Sequence, residues 1–246
     1  MKLLRFLCFS LFIACLATAC NSSSDKNTAT QTAADSLKPG EKSEFYKNGK
    51  LHYIVEYKNG KANGRVKEYT STGYKYMDAT YKDGLRNGIC TLFLTNGKPY
   101  SIVNYVNEAK EGVETIYNPD GKQEAVLTYK NNKVQPGLKE FMKDGTPVED
   151  NTRLMVTEVD QTKRGGKYFI RLSLTPPHSD AIFYAAPQSD PDSREKLQSE
   201  GNWAILVVPL AEKGFILKKL VLDAEYKTAL GNTRRLQRLY SLAIGR

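Results

Sequence analysis

Between residues 42 and 149, apolar and polar positions alternate in short runs, and Gly or Asx closes each run. Val55, Ala79, Val103 and Leu127 stand two residues before Tyr57, Tyr81, Tyr105 and Tyr129, so each pair shares one face of a strand. Glu56, Thr80, Asn104 and Thr128 fall on the other face. The pattern has a longer period. Phe45, Tyr69, Phe93, Tyr117 and Phe141 recur every 24 residues, and so do Gly49, Gly73, Gly97, Gly121 and Gly145. Gly64, Gly88 and Gly112 keep the same spacing, with Pro136-Gly137 one residue late. Asn48-Gly49, Asn96-Gly97, Asp120-Gly121 and Asp144-Gly145 predict two-residue hairpin loops of type I′, with positive φ at both central residues. Asn59-Gly60 and Asp83-Gly84 supply the second turn of two units. Two strands and two turns fill each unit. A helical reading fails because turn residues punctuate every dozen positions.

After Asp150 the period stops and alternation of another kind begins. Segments 154–159, 168–174 and 220–227 each alternate, and Ala181 to Ala186 reads as a short apolar strand. Trp203 to Leu210 is apolar on both faces, which predicts a central strand. Gly231-Asn232 turns the chain into Thr233 to Ile244, and the sequence predicts an edge strand there, with Arg234 and Arg238 reaching solvent or an anionic partner. Residues 187–202 read as a surface loop or one short helix. Thr175-Pro-Pro-His-Ser-Asp reads as a rigid turn, since adjacent Ser, His and Asp side chains diverge and cannot form a triad. Six or seven strands in under a hundred residues predict a β-sandwich-like domain over 151–246.

The N-terminus carries an address. Lys2 and Arg5 precede an apolar stretch to Leu16, followed by Ala17-Thr18-Ala19-Cys20. That is a secretory signal peptide over 1–19, too short for a comfortable membrane span. Leu16-Ala17-Thr18-Ala19-Cys20 resembles the lipobox of bacterial lipoproteins, although Ala17 holds the place where that family has Leu. The resemblance implies cleavage before Cys20, a lipid on its thiol and export to the cell envelope. Asn21, rather than Asp, resembles lipoproteins sorted to the outer membrane. Residues 20–41 are then a lipidated flexible tether, because Ser, Thr, Ala and Asn cannot bury enough apolar surface to offset ordering. Cys8 and Cys15 leave with the signal and Cys20 is lipidated. Cys90 is left alone, and it reads as a small buried apolar residue.

The units Phe45-x-x-x-Gly49 … Tyr57-Lys58-Asn59-Gly60 … Gly64 and Tyr69-x-x-x-Gly73 … Tyr81-Lys82-Asp83-Gly84 … Gly88 resemble the prokaryotic MORN repeat. The resemblance covers 42–149, under half of the chain, and these two units carry it best. In the next two, Asn107-Glu108 and Asn131-Asn132 replace the Asx-Gly turn. It implies an all-β protein: an elongated, single-layer antiparallel sheet of 24-residue hairpin repeats, followed here by the sandwich. It also implies a scaffolding, dimerisation or membrane-associated role. Some members carry an antitoxin label, which fits an exported lipoprotein poorly. The ladder of Tyr57, Tyr81, Tyr105 and Tyr129 has two readings: sheet core, or an exposed platform on which a sugar or peptide stacks.

Charge adds one candidate surface. The formal net charge is +9. Residues 151–246 hold 15 basic and 10 acidic side chains, a net +5, against +2 over 41–150. Lys218, Lys219, Arg234, Arg235 and Arg238 lie on two segments joined by the Gly231-Asn232 turn. They read either as a solvated basic face or as one patch for an anionic lipid, glycan or acidic protein. An export signal makes nucleic acid an unsuitable partner. Two His, His52 and His178, exclude a His-rich metal site, and no nucleophile–base, zincin or phosphate-loop motif occurs. The sequence therefore predicts a non-catalytic envelope lipoprotein without cofactor or metal, bound to the membrane by its lipid and presenting a surface to an envelope protein or glycan. Its alternatives are a glycan- or peptidoglycan-recognition module, using the tyrosines or the sandwich loops, and, further off, an unrecognised hydrolase or antitoxin-like component.

Overall fold

Each 24-residue unit contributes two strands, and successive units extend one sheet. A computed structural model describes residues 40–162, 167–209 and 215–245. The predicted signal peptide, Cys20 and almost all of the tether lie outside the described residues, as does Leu210. Strands β1 (Glu41–Phe45), β2 (Leu51–Lys58), β3 (Lys61–Tyr69), β4 (Lys75–Lys82), β5 (Leu85–Phe93), β6 (Pro99–Val106), β7 (Ala109–Tyr117) and β8 (Gln123–Lys130) lie side by side in chain order, all antiparallel. Two short strands, β9 (Lys133–Val134) and β10 (Lys139–Glu140), pair with the two halves of β8 and end the ten-stranded sheet.

The two rows of turns differ, and one departs from expectation. Asn48, Asn96, Asp120 and Asp144 do not take positive φ. The glycine after each does, and the loops span three residues: Gly49 N–H bonds Tyr46 C=O at 2.9 Å and Tyr46 N–H bonds Lys50 C=O at 2.8 Å. This is a type I turn closed by a glycine bulge. At Asn48, Asn96 and Asp144 the side chain stays in an ordinary conformation because it accepts a bond two residues on, as Asn48 Oδ1 does from Lys50 N–H at 3.1 Å; in the Asp120 loop Asn118 Oδ1 accepts from Lys122 N–H instead, at 3.0 Å. The other row has true type I′ loops. Asn59-Gly60, Asp83-Gly84, Asn107-Glu108 and Asn131-Asn132 all have positive φ at both positions. Glu108 and Asn132 hold a glycine's conformation because their side chains are tied down. Arg86 Nε bonds Glu108 at 2.8 Å, and Lys110 N–H bonds Asn132 Oδ1 at 2.7 Å.

Bonds about one repeat apart run along both rows of turns. Asn48 Nδ2 reaches Ser71 C=O at 2.9 Å, and Asn96 Nδ2 reaches Pro119 C=O at 3.1 Å. Lys50 and Lys98 place Nζ on the carbonyls of Thr72 and Asp120 at 2.6 and 3.0 Å. On the opposite row, Gly84, Glu108 and Asn132 N–H bond the carbonyls of Ala62, Arg86 and Lys110. Each repeat is thus stitched to its neighbour at both ends, the nearest-neighbour coupling of a repeat array.

One face of the sheet is closed. Val55, Val66, Ala79, Cys90, Val103 and Leu127 form a cross-strand row, each at most 8 % exposed. Cys90 is a small core residue in this row. Glu114 is its polar exception, buried where Ser101 Oγ donates to it at 2.7 Å and Lys110 Nζ pairs with it at 2.7 Å.

The remaining strands form two four-stranded sheets facing each other. β11 (Arg153–Gln161), β12 (Lys167–Thr175), β16 (Trp203–Val208) and β15 (Gln198–Glu200) make the first, in the order β11-β12-β16-β15. β14 (Glu195–Lys196), β13 (Ile182–Pro187), β17 (Phe215–Lys227) and β18 (Thr233–Gly245) make the second, in the order β14-β13-β17-β18. Ile170, Leu172, Phe183, Leu222 and Leu242 are fully buried between them. Tyr168 and Tyr240 both donate to Glu158, tying β18 to β11 at one corner. Residues 187–202 hold a 3-10 turn (Pro191–Ser193) and two minimal strands, where the sequence suggested a loop or short helix.

Gly64 and Gly97 both require positive φ, but for different reasons. Gly97 has φ +81 and open space where a Cβ would lie; at Gly64, φ is +121 and a Cβ would come within 1.9 Å of Glu56 Oε2, which accepts a bond from Arg65 N–H. Gly97→Ala is expected to lower stability by about 1 kcal/mol and Gly64→Ala by about 2–3 kcal/mol. Chemical unfolding of both variants checks this, and an equal or reversed order contradicts the steric argument.

Candidate functional site

The tyrosine ladder lies on the closed face. Tyr105 is 8 % exposed, and Tyr57, Tyr81 and Tyr129 are half-buried against the apolar row. Cations cover three of the rings: Lys42 stands 5.3 Å from the centroid of Tyr57, Arg86 4.3 Å from Tyr105 and Lys110 4.8 Å from Tyr129. Burial, with Glu114 alongside, raises the Tyr129 phenol far above its ordinary value. The ladder serves as the second layer that a one-layer sheet otherwise lacks, and three of its faces are already occupied.

The other face is open. Ile89 and Val113 are each 54 % exposed and Tyr76 is 43 % exposed. Register places Ile102 between Thr91 and Thr115, and Val126 next to Thr115, on this same side. An Arg65–Asp78 pair, with Nε 2.6 Å from Oδ1, flanks the apolar stripe towards the N-terminal strands. Sequence reasoning assigned this face only as polar, because it followed Glu56, Thr80, Asn104 and Thr128. The β-branched positions between them carried the signal.

The five basic residues do not form one patch. Alternation along the β17–β18 hairpin sends Lys218, Arg234 and Arg238 to one side and Lys219 and Arg235 to the other. Lys218, Lys219 and Arg238 are exposed. Arg234 and Arg235 are not, which corrects the expectation that Arg234 reaches solvent from the edge strand. β18 does lie at the sheet edge, but the repeat sheet ends against it.

That junction consumes both arginines. Glu140, only 2 % exposed, accepts from Thr228 Oγ1 and Asn232 Nδ2, each at 2.7 Å, and lies 3.6 Å from Arg234 Nη2. Asp150 sits 2.8 Å from Arg234 Nε and accepts from Tyr226 OH at 2.6 Å. Arg235 grips the fully buried Asp223 with Nε and Nη2, at 3.2 and 2.7 Å, while Nη1 reaches Val134 C=O and Gln135 at 3.3 and 3.4 Å. Arg194 adds Glu225 at 2.6 Å. Lys130 and Lys133 hold Asp192 and its carbonyl from the repeat side. His178 stacks on Tyr226 with ring centroids 4.0 Å apart, and its Nε2 lies 3.2 Å from Thr152 Oγ1, a structural role.

A family model described as MORN repeat variant matches residues 38–59, 86–107 and 110–131. The match misses most of the second repeat, one of the two whose residues resemble the family most closely. It includes the units with Asn107-Glu108 and Asn131-Asn132, whose loops keep the repeat's conformation. The matched segments make the sheet a repeat-built module of the binding or scaffolding kind. No curated protein matches the chain.

Removing one partner of a buried pair costs far more than forming it gains. Arg235→Met leaves Asp223 buried beside a neutral side chain and is expected to lower stability by about 3 kcal/mol, measured by urea unfolding followed through Trp203. Acid should weaken the junction. Burial alone would raise the Asp150 carboxyl, but bonds from Thr152 and Tyr226 and the charge of Arg234 outweigh it and hold the group below its ordinary value. A depressed acid stabilises above its unfolded value and loses that contribution as pH falls through its folded one. The urea midpoint should therefore drop below about pH 4, less steeply in Asp150→Asn. An unchanged slope in that variant removes Asp150 from the account.

Proposed function

We propose that this protein is a non-catalytic scaffold of the bacterial cell envelope, held to the membrane by a lipid on Cys20 and presenting its repeat sheet to a protein partner. The observation that carries the binding half is the asymmetry of the sheet. One face is closed by its own tyrosines and cations, while the other keeps Ile89, Val113 and Tyr76 in water. Several large apolar side chains exposed on one face are the usual mark of an interaction surface. The anchoring half rests on the lipobox-like segment Leu16–Cys20 and on the Ser-, Thr- and Ala-rich residues after it.

The covered rings of Tyr57, Tyr105 and Tyr129 count against glycan stacking on the ladder, and the paired Arg234 and Arg235 count against an anionic patch there. The junction supports the scaffold reading, because the sheet meets the sandwich through buried ion pairs and hydrogen bonds rather than an unpaired linker.

Two variants test the halves separately in cells. Cys20→Ser is expected to move the protein from the membrane to the soluble fraction or leave it unprocessed, since acyl chains contribute about 0.8 kcal/mol per buried methylene. Wild-type fractionation of this variant would sink the anchor. Ile89→Lys with Val113→Lys is expected to keep membrane fractionation and the unfolding midpoint while abolishing in-cell crosslinks to the partner. Unchanged crosslinks would remove the open face as the binding surface.

A further inference from the structure

The sandwich has a gap in its wall. Its two sheets approach each other at β16 and β13, and the Glu195–Glu200 segment runs along both edges but covers only part of each. β15 pairs with Trp203, Ala204 and Ile205 and stops there; β14 pairs with Tyr184 and Ala185 and stops there. Beyond them, Leu206, Val207 and Val208 pair with β12 on one side and, among the described residues, with no strand on the other. Among the described residues, Ala186 likewise pairs with no strand on the side away from β17, while Pro187 C=O there accepts only a turn bond from Asp190 N–H at 3.1 Å. A groove of about 570 Å³ opens at this place. Leu197, Leu206, Val208 and Leu220 line its apolar part. Lys218, on the same side of β17 as Leu220, stands on its rim and is exposed; Lys219 borders it from the opposite side of the strand, and Ser193 and Glu195 complete the polar border.

We propose that this groove is a docking site for an extended peptide that adds to β16 as a strand, with alternate apolar side chains in the groove and an acidic side chain at Lys218. An unpaired strand edge is a template for another chain, and natural proteins normally block it with charge, proline or a cover. Here β13 is blocked by Pro187, which has no N–H to offer, whereas β16 keeps its backbone groups through Val208. Main-chain bonds to the open edge supply affinity, and pockets for every second side chain supply selectivity. The volume lies within the range of ordinary ligand sites. Lys218, on the same side of β17 as Leu220, offers an acidic side chain of the guest a partner. A free acyl chain would use the apolar floor but leave the open backbone of β16 unpaired, so the edge favours peptide over lipid. The site is separate from the repeat face, and neither the anchor nor that face is needed for it.

Fluorescence anisotropy with a labelled acetyl-(Val-Glu)4-amide peptide and the full-length protein tests this. Binding is expected, weakened about tenfold by Lys218→Glu at an unchanged unfolding midpoint. The same peptide N-methylated at alternate residues, which keeps every side chain but removes backbone donors, is expected to bind at least about tenfold more weakly. Amide resonances of Leu206, Val207 and Val208 should shift on binding. Equal binding of the N-methylated peptide would overturn strand addition. Displacement of a bound dye by dodecanoate but not by the peptide would make the groove a lipid site and overturn the proposal. Absence of peptide binding at millimolar concentration would overturn it as well.

Discussion

A sheet one layer thick has nothing opposite it to bury its side chains, and almost every feature of the repeat region answers that constraint. The small row from Val55 to Leu127 is shielded by rings two residues away, and the rings of Tyr57, Tyr105 and Tyr129 are shielded by cations of neighbouring strands. Stability comes from neighbours rather than from a central core, as in other one-dimensional arrays. This explains the bonds between repeats on both rows of turns. Asn48 and Lys50 reach into the following repeat, and Glu108 is gripped by Arg86 of the preceding one. A side chain that makes such a bond can take over from glycine at a turn, which is how Glu108 and Asn132 are tolerated at positive φ.

An array of this kind needs an end. Here the last strands, β9 and β10, split the edge of β8, and Glu140 leaves the sheet into a polar pocket of the sandwich. Burying charge is costly unless every partner is met. The junction meets most of that condition by using two adjacent arginines in opposite directions, Arg234 towards Glu140 and Asp150 and Arg235 towards Asp223 and the carbonyl of Val134, and leaves only Arg234 Nε and Arg194 Nη1 without an aligned hydrogen bond among the described residues. Such geometry tolerates little error, which makes the relation between sheet and sandwich specific rather than merely adhesive.

These two devices decide which surfaces remain for partners. Tyrosine and arginine are enriched at recognition surfaces in general, yet in this chain many of them maintain the structure. What is left are surfaces without conspicuous chemistry: a stripe of Ile and Val on the open face of the sheet, and a bare strand edge in the sandwich beside two lysines. Both suit proteins or peptides, in keeping with a scaffold.

The strands, their alternation and the 24-residue period were determined by sequence alone, because side-chain period and turn chemistry are local properties. The edge position of β18 was legible for the same reason, from charge alternating with Leu236. The turn at Asn48-Gly49 was legible as a turn but not as its type, since Asn tolerates both conformations and a bond from Lys50 N–H selects one. The roles of Arg234 and Arg235 were beyond the sequence. Adjacent residues on a strand point to opposite sides, and only the packing of Glu140 and Val134, about a hundred positions earlier, against that hairpin shows what each meets. The open face was likewise decided by tertiary structure: Ile89 and Val113 read as ordinary strand residues, and they are exposed because, among the described residues, no second layer covers that side of the sheet.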